Sequence, residues 1–254
     1  MERIVFRNVS KEFSLSRGRK LLRGHLRELL RRKRPATFCA LRNISLAVRD
    51  GEGLAVIGAN GAGKSTLLNL ATRLCFPDEG EVIVNGRLTA VLELGTGFHG
   101  DLTGAENVRL TASLFGLTRK RTRELFDEMV EFSGVSQFID QPLRTYSSGM
   151  IMRLAFAVAI HADPDILAMD EVMAVGDQSF KEKCFERMME LRRLGKTMLC
   201  VSHSPDLLRH MCDRAIWLDQ GEVLADGKLD EVIEAYQNHL AQSIDVQLST
   251  GISR

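Results

Sequence analysis

The sequence predicts an α/β fold in which a strand-and-helix core is interrupted by a helical stretch. Three observations carry this. Short apolar runs that read as buried strands alternate with helical patterns at both ends of the chain. A glycine-rich loop, Gly58-Ala-Asn-Gly-Ala-Gly-Lys-Ser-Thr66, joins one such run to a helix. Between about Thr103 and Ala162 the pattern turns helical, with few strand-like runs.

In chain order, Arg3–Phe6 and Ile44–Val48 read as strands, the second alternating between two faces. Gly53–Ile57 is an apolar run ending in glycine, as in a strand covered on both sides. A helix follows over Lys64–Leu74, and Pro77–Gly86 reads as turn, strand, turn. Beyond the helical stretch, Asp165–Met169 and Lys196–Val201 are buried strands separated by a helix over Phe180–Leu194. Arg214–Leu218 and Glu222–Ala225 flank Asp219-Gln-Gly221 as a hairpin, and Asp230–Leu240 forms a last helix with a polar tail. The predicted division is a core over about 1–92 and 163–227, a helical subdomain over about 93–162, and a C-terminal helix and tail over about 228–254. A basic insertion occupies 17–35.

Composition narrows the class. The 254 residues are 44% hydrophobic and 26% charged, as in a folded globular domain. No apolar run approaches the ~18–20 residues needed to span a bilayer, and the start MERIVFRNVSKEF lacks the apolar segment of a signal peptide. The chain is therefore expected to be cytosolic, with any membrane role borrowed from a partner. The five cysteines show no C-x-x-C spacing and read as small buried apolar residues. Net charge is +1, yet Arg17–Arg34 alone carries nine Lys/Arg against one Glu, a net +8 that leaves −7 elsewhere. Within that segment Leu22, Leu26, Leu29 and Leu30 share a helical face opposite arginines. A solvated charged loop and an amphipathic helix near anionic headgroups or a membrane subunit both fit. Nucleic acid is not the expected partner, since no aromatic is interleaved for base stacking.

The glycine-rich loop matches G-x-x-x-x-G-K-[ST], which wraps phosphate with inward N–H groups at a helix N-terminus. Gly58, Asn60, Gly61, Ala62, Gly63, Lys64, Ser65 and Thr66 are thus candidate nucleotide contacts, with Lys64 on the β- and γ-phosphates and Ser65 on Mg²⁺. Ile166-Leu-Ala-Met-Asp-Glu171 ends a buried strand in two carboxylates. Asp170 suits the Mg²⁺ shell, and Glu171 is the candidate for orienting and deprotonating water. Tyr146-Ser-Ser-Gly-Met150 precedes a helix whose small residues and N-terminus can present N–H and O–H groups to phosphate.

At this segment the chain resembles the ABC family, whose hallmark there is L-S-G-G-Q; Ser147 and Gly149 match, whereas Tyr146, Ser148 and Met150 depart. Ala174-Val-Gly-Asp177 is similar to that family's D-loop, and Val201-Ser-His203 to its switch-histidine segment. The other histidines, His25, His161, His210 and His239, read as structural. The resemblance spans essentially the whole chain and implies a P-loop NTPase fold with a RecA-like core and inserted helical subdomain. It also implies ATP and Mg²⁺ as cofactors, and a homodimer or paired cassette. Lys64, Asp170, Glu171 and His203 of one chain would then meet Ser147 and Gly149 of the other across the nucleotide. Asp177 joins that set, and Phe13 holds the family's usual place for the adenine platform, with Phe38 as competitor.

The stretch Leu92–Val108 contains no glutamine where most such cassettes carry one; ungapped counting puts Leu94 in its place, beside Glu93. With Asp101-Leu-Thr-Gly104, Tyr146–Met150 and Glu171–Asp177, it is similar to the ATPases that export capsular polysaccharide, O-antigen or teichoic acid. That resemblance implies a polytopic membrane permease as partner, with the glycan handled mainly by the permease. Larger O-antigen members append a carbohydrate-binding domain for which this chain is too short. The rival readings are an ATPase serving a lipid or drug transporter, and a soluble ATPase acting on ribosomes or nucleic acid.

Overall fold

A computed structural model describes residues 1–14, 37–91, 95, 97–170, 176–202 and 204–250, with 243–250 described for the backbone alone. Glu171, Ala174 and His203 lie outside the described residues, as do Glu93, Leu94, His25 and the basic segment with its leucine face.

Among the described residues, nine strands form two sheets. β1 (Glu2–Ser14), β2 (Thr37–Arg49) and β4 (Glu79–Val84) make an antiparallel sheet in the order β2-β1-β4. β3 (Gly53–Ile57), β5 (Leu88–Val91), β6 (Ile166–Asp170), β7 (Thr197–Val201), β8 (Arg214–Asp219) and β9 (Glu222–Lys228) make the second, in the order β5-β6-β7-β3-β8-β9. Its pairs are parallel from β5 through β8, and β9 closes the edge antiparallel. The helices are α1 (Lys64–Ala71), α2 (Gly104–Leu114), α3 (Arg119–Ser133), α4 (Ser148–His161), α5 (Gln178–Arg193), α6 (Pro205–Met211) and α7 (Leu229–Thr250).

Side-chain alternation sorts the central strands between two cores, which is why their sequences are apolar throughout. Leu54, Val56, Ile166, Ala168, Leu199 and Val201 face the antiparallel sheet and α1. Ala55, Ile57, Leu167, Met169, Met198 and Cys200 face α4, α5, α6 and the start of α7. A third core joins α2, α3 and α4 through Val108, Met129, Leu154 and Val158. α4 serves two of these cores, so Leu154–His161 is buried all round.

Several boundaries differ from the sequence-based expectations. β1 and β2 extend to Ser14 and Thr37 because they pair with each other along that length. β5, only four residues long, is held by its ladder to β6 and has no strong signal of its own. α1 stops at Ala71, and the chain turns through Arg73 at a φ of +60°. α7 runs on to Thr250 rather than ending near Leu240. Of the cysteines, Cys184, Cys200 and Cys212 are buried, and burial pushes the Cys184 thiol up to about 12. Cys39 and Cys75 are only half-buried, which corrects the expectation for those two. Among the described residues no helix is long and apolar enough to cross a membrane.

Candidate nucleotide site

β3 delivers Gly58 to the C-terminal edge of the wide sheet, where open α/β sheets bind ligands. A Cβ on Gly58 would sit 2.0 Å from the Leu218 carbonyl oxygen, so only glycine lets the loop pass β8. The loop is braced from the β8–β9 turn, where the Gly221 N–H donates to the Ala62 carbonyl at 3.0 Å. It then enters α1, whose N-cap is Gly63. Lys64 is 7% exposed and turns back over the loop, donating to the carbonyls of Gly58 at 2.7 Å and Ala59 at 2.8 Å.

Across the loop, β6 places Asp170 at its C-terminal end, and the Ser65 hydroxyl donates to Asp170 Oδ2 at 3.3 Å. A hydroxyl and a carboxylate meeting beside a phosphate loop form the hard, all-oxygen donor set that Mg²⁺ takes, with phosphate and water filling the rest. The donor set therefore fits the ion. Phe38, Ala40, Asn60, Gly61, Gly63, Lys64, Ser65, Thr66, Asp170 and Val201 line one open cleft of about 210 Å³. Phe13 lies directly opposite Phe38 in the β1–β2 ladder, and both rings are exposed, at 44% and 48%. The Lys11 ammonium stands 5.5 Å from the Phe13 ring centroid.

Ser147 and Gly149 open α4. The Ser147 hydroxyl caps it by accepting the Met150 N–H at 3.2 Å, and the residue is exposed. Asp177 caps α5 in the same way, accepting the Phe180 N–H at 3.0 Å. That bond, then one from the Ser179 hydroxyl, holds the Asp177 carboxyl below the usual carboxylate range. Neither Ser147 nor Gly149 lines the cleft of its own chain.

The model of the family described as "ABC transporter" matches residues 41–174, which hold the phosphate loop, the Ser147 helix and Asp170. The chain belongs to the ABC transporter family. Along this ABC cassette, the O-antigen export system ATP-binding protein RfbB of Klebsiella pneumoniae is 41% identical over 246 residues, covering 95% of this chain and 100% of the relative. The protein of the same name from Myxococcus xanthus is 42% identical over 252 residues, but the chain spans only 57% of its length. The fold matches a solved dimeric ATP-binding cassette bound to ADP and Pi, with a TM-score of 0.68 at 24% identity, covering 89% of this chain and 98% of that one.

Two features of the cassette escaped the sequence reading. The first is the meaning of Tyr146. Its hydroxyl donates to the Phe138 carbonyl at 2.6 Å, and a Cβ on Gly104 would lie 2.4 Å from it. Tyr146 therefore fits against Gly104, and two of the three segments carrying the narrower resemblance are parts of one contact. The second is Asn107, fully buried, whose amide donates to the carbonyls of His99, Leu102 and Thr103 and accepts the His99 N–H. Asparagine alone within a helical pattern gave no hint of that network.

A Gly104→Ala variant is expected to lose about 1–3 kcal/mol of stability by overpacking. Adding Tyr146→Phe, which removes the clashing oxygen, should recover part of it. Thermal melts of the two single variants and the double check this; simple additivity would contradict it. The structural reading of three histidines has partners to match. His161 Nδ1 lies 2.7 Å from the Ala157 carbonyl and His210 Nδ1 2.7 Å from that of Asp206, while the His239 ring stands against Trp217.

Proposed function

We propose that this cassette hydrolyses ATP with Mg²⁺, as one half of a dimer, to drive export of a polysaccharide or lipid-linked glycan through a separate membrane subunit at the cytoplasmic face of the cell membrane. The observation that carries the reading is the full-length relationship to the Klebsiella O-antigen export protein, with the candidate nucleotide-site residues present in the sequence.

The roles follow from the chemistry of each group. The phosphate loop binds the β- and γ-phosphates through N–H groups of Asn60 through Thr66, and the Lys64 ammonium adds a cation to the same oxygens. Ser65 and Asp170 hold Mg²⁺, which when bound neutralises charge developing on the phosphates. Glu171 takes a proton from the attacking water, and His203 donates a hydrogen bond to the γ-phosphate. Ser147, Gly149 and Asp177 serve the partner copy's nucleotide, since an exposed capped helix end outside its own cleft has hydroxyl and N–H groups to offer.

Phe13 and Phe38 form the adenine platform on the β1–β2 hairpin. Alanine at either is expected to weaken ATP binding by about 1–3 kcal/mol, the worth of one aromatic stack. The double variant should lose more than either. Equilibrium binding of ATP checks this, and the order of the two single losses assigns the ring that carries the base. Unchanged affinity in the double variant removes the hairpin from the site.

The function itself is tested in cells. Deleting the coding sequence should remove a glycan from the cell surface and leave it accumulating inside. The wild-type chain should restore export, and Lys64→Ala should not. Normal surface glycan in the deletion strain would reject the export reading.

A further inference from the structure

Gly221 hydrogen-bonds to both walls of the cleft. One wall is the phosphate loop, where the Ala62 carbonyl accepts the Gly221 N–H at 3.0 Å. The other is β2, whose Arg42 N–H donates to the Gly221 carbonyl at 2.8 Å. β2 brings Phe38 and Ala40 to the cleft, so its base end and its phosphate end are joined through this single residue.

The junction has no slack. A Cβ on Gly221 would sit 2.9 Å from the Ala40 carbonyl oxygen and 3.2 Å from the Leu41 Cα. A Cβ on Gly63, coming from the phosphate loop, would lie 2.5 Å from the same oxygen. β2, the phosphate loop and the β8–β9 turn are far apart in the chain, yet they close on one carbonyl. Arg42 and Glu222 pair at 3.0 Å beside it, but both are exposed and such a pair holds weakly. The bonds that set the spacing run from backbone to backbone, so no side-chain rotation can absorb a change in it.

Turn geometry explains this glycine only in part. Gln220 and Gly221 have φ of +47° and +83°, the two left-handed positions of a tight hairpin turn. Asparagine also tolerates that conformation. Gln220, however, is exposed, whereas Gly221 is buried. The turn asks for a left-handed φ, and the place between two walls asks for no side chain.

We propose that Gly221 is a positioning residue that fixes the spacing between the base end of the cleft and the phosphate loop, and so favours a nucleoside triphosphate over a bare polyphosphate. A ligand gripped at both ends binds best where the two grips are spaced in advance. The inference rests on the nucleotide reading of the cleft and on the adenine platform of the β1–β2 hairpin.

The test compares binding of MgATP and of magnesium tripolyphosphate, which has the phosphates and no base, to the full chain. Steady-state hydrolysis and thermal melts run alongside. Gly221→Asn keeps the turn accessible but places a Cβ against Ala40. It is expected to weaken ATP by about tenfold or more, within the worth of one aromatic stack, and tripolyphosphate by less than about twofold. KM should rise in step, with kcat at saturating ATP within about twofold. Gln220→Gly alters the turn and not the junction, and should bind both ligands as the wild type does. In a chain already lacking the Phe13 and Phe38 rings, Gly221→Asn should cost ATP less than about twofold.

Equal losses for ATP and tripolyphosphate would overturn the proposal, because a brace of the phosphate loop alone acts that way. So would wild-type ATP affinity in Gly221→Asn, or a lowered kcat with unchanged KM. If that variant does not fold, one glycine inserted after the exposed Gln220 loosens the junction without adding bulk and is judged by the same criteria. A wild-type chain that binds no ATP rejects the nucleotide reading, and unchanged affinity without Phe13 and Phe38 rejects the platform. Either result removes the spacer as well, and both are visible without touching Gly221.

Discussion

Glu171→Gln is expected to bind ATP as the wild type does and to hydrolyse it about 10²–10⁴-fold more slowly, the usual worth of a general base. Glutamine keeps the size and the hydrogen-bonding reach of the side chain but cannot take a proton from water. Asp170, the preceding residue and the proposed metal ligand, meets the Ser65 hydroxyl at 3.3 Å and is unchanged in the variant, so ground-state binding should survive. With cleavage slowed and binding intact, the ATP-bound dimer should accumulate. Gel filtration of the variant with MgATP would show a dimer that the wild type forms only transiently. Turnover near the wild-type rate would mean that another group handles the water.

Ser147→Arg is expected to abolish hydrolysis while leaving the ATP affinity of the isolated chain nearly unchanged. Ser147 is exposed at the α4 N-terminus and lines no part of its own cleft, so a bulky side chain there harms only a site completed by another copy. The substitution also removes the Ser147 cap to the Met150 N–H, a loss of about 0.5–2 kcal/mol. Ser147→Asp separates the two effects, because aspartate caps helices as well as serine but repels phosphate. It should be as inactive as the arginine variant and as stable as the wild type. Mixing Ser147→Arg with Lys64→Ala chains should restore at most one working site per dimer. Full activity of Ser147→Arg at low protein concentration would sink the shared-site model.

The local chemistry of this protein is written in runs of adjacent residues, and those were legible. A strand–loop–helix with the spacing from Gly58 to Thr66 specifies a phosphate cradle because backbone geometry alone builds it. The strand ending at Asp170 and the helix opening after Tyr146 depend on neighbours a few residues away, whereas the capping roles of Ser147 and Asp177 came from the structure. The uniformly apolar strands reported a sheet covered on both faces for the same reason, since period-two alternation shows which faces are buried.

Partners across the chain are a different matter, because hydrophobic pattern states that a face is covered and not by what. Phe13 and Phe38 are 25 positions apart, and only the β1–β2 register sets them side by side. Tyr146 departs from the family motif, and only the packing shows that its hydroxyl lies against Gly104. The brace from Gly221 to Ala62, the Asn107 network and the stacking of Arg153 on Phe180 likewise come from packing. What the sequence by itself determined was the α/β class and the phosphate-loop motif from Gly58 to Thr66, both set by contacts within a turn or a strand. What only the tertiary structure decided was how those pieces are held against one another, because close packing of three cores selects one set of distant neighbours from many that pattern allows.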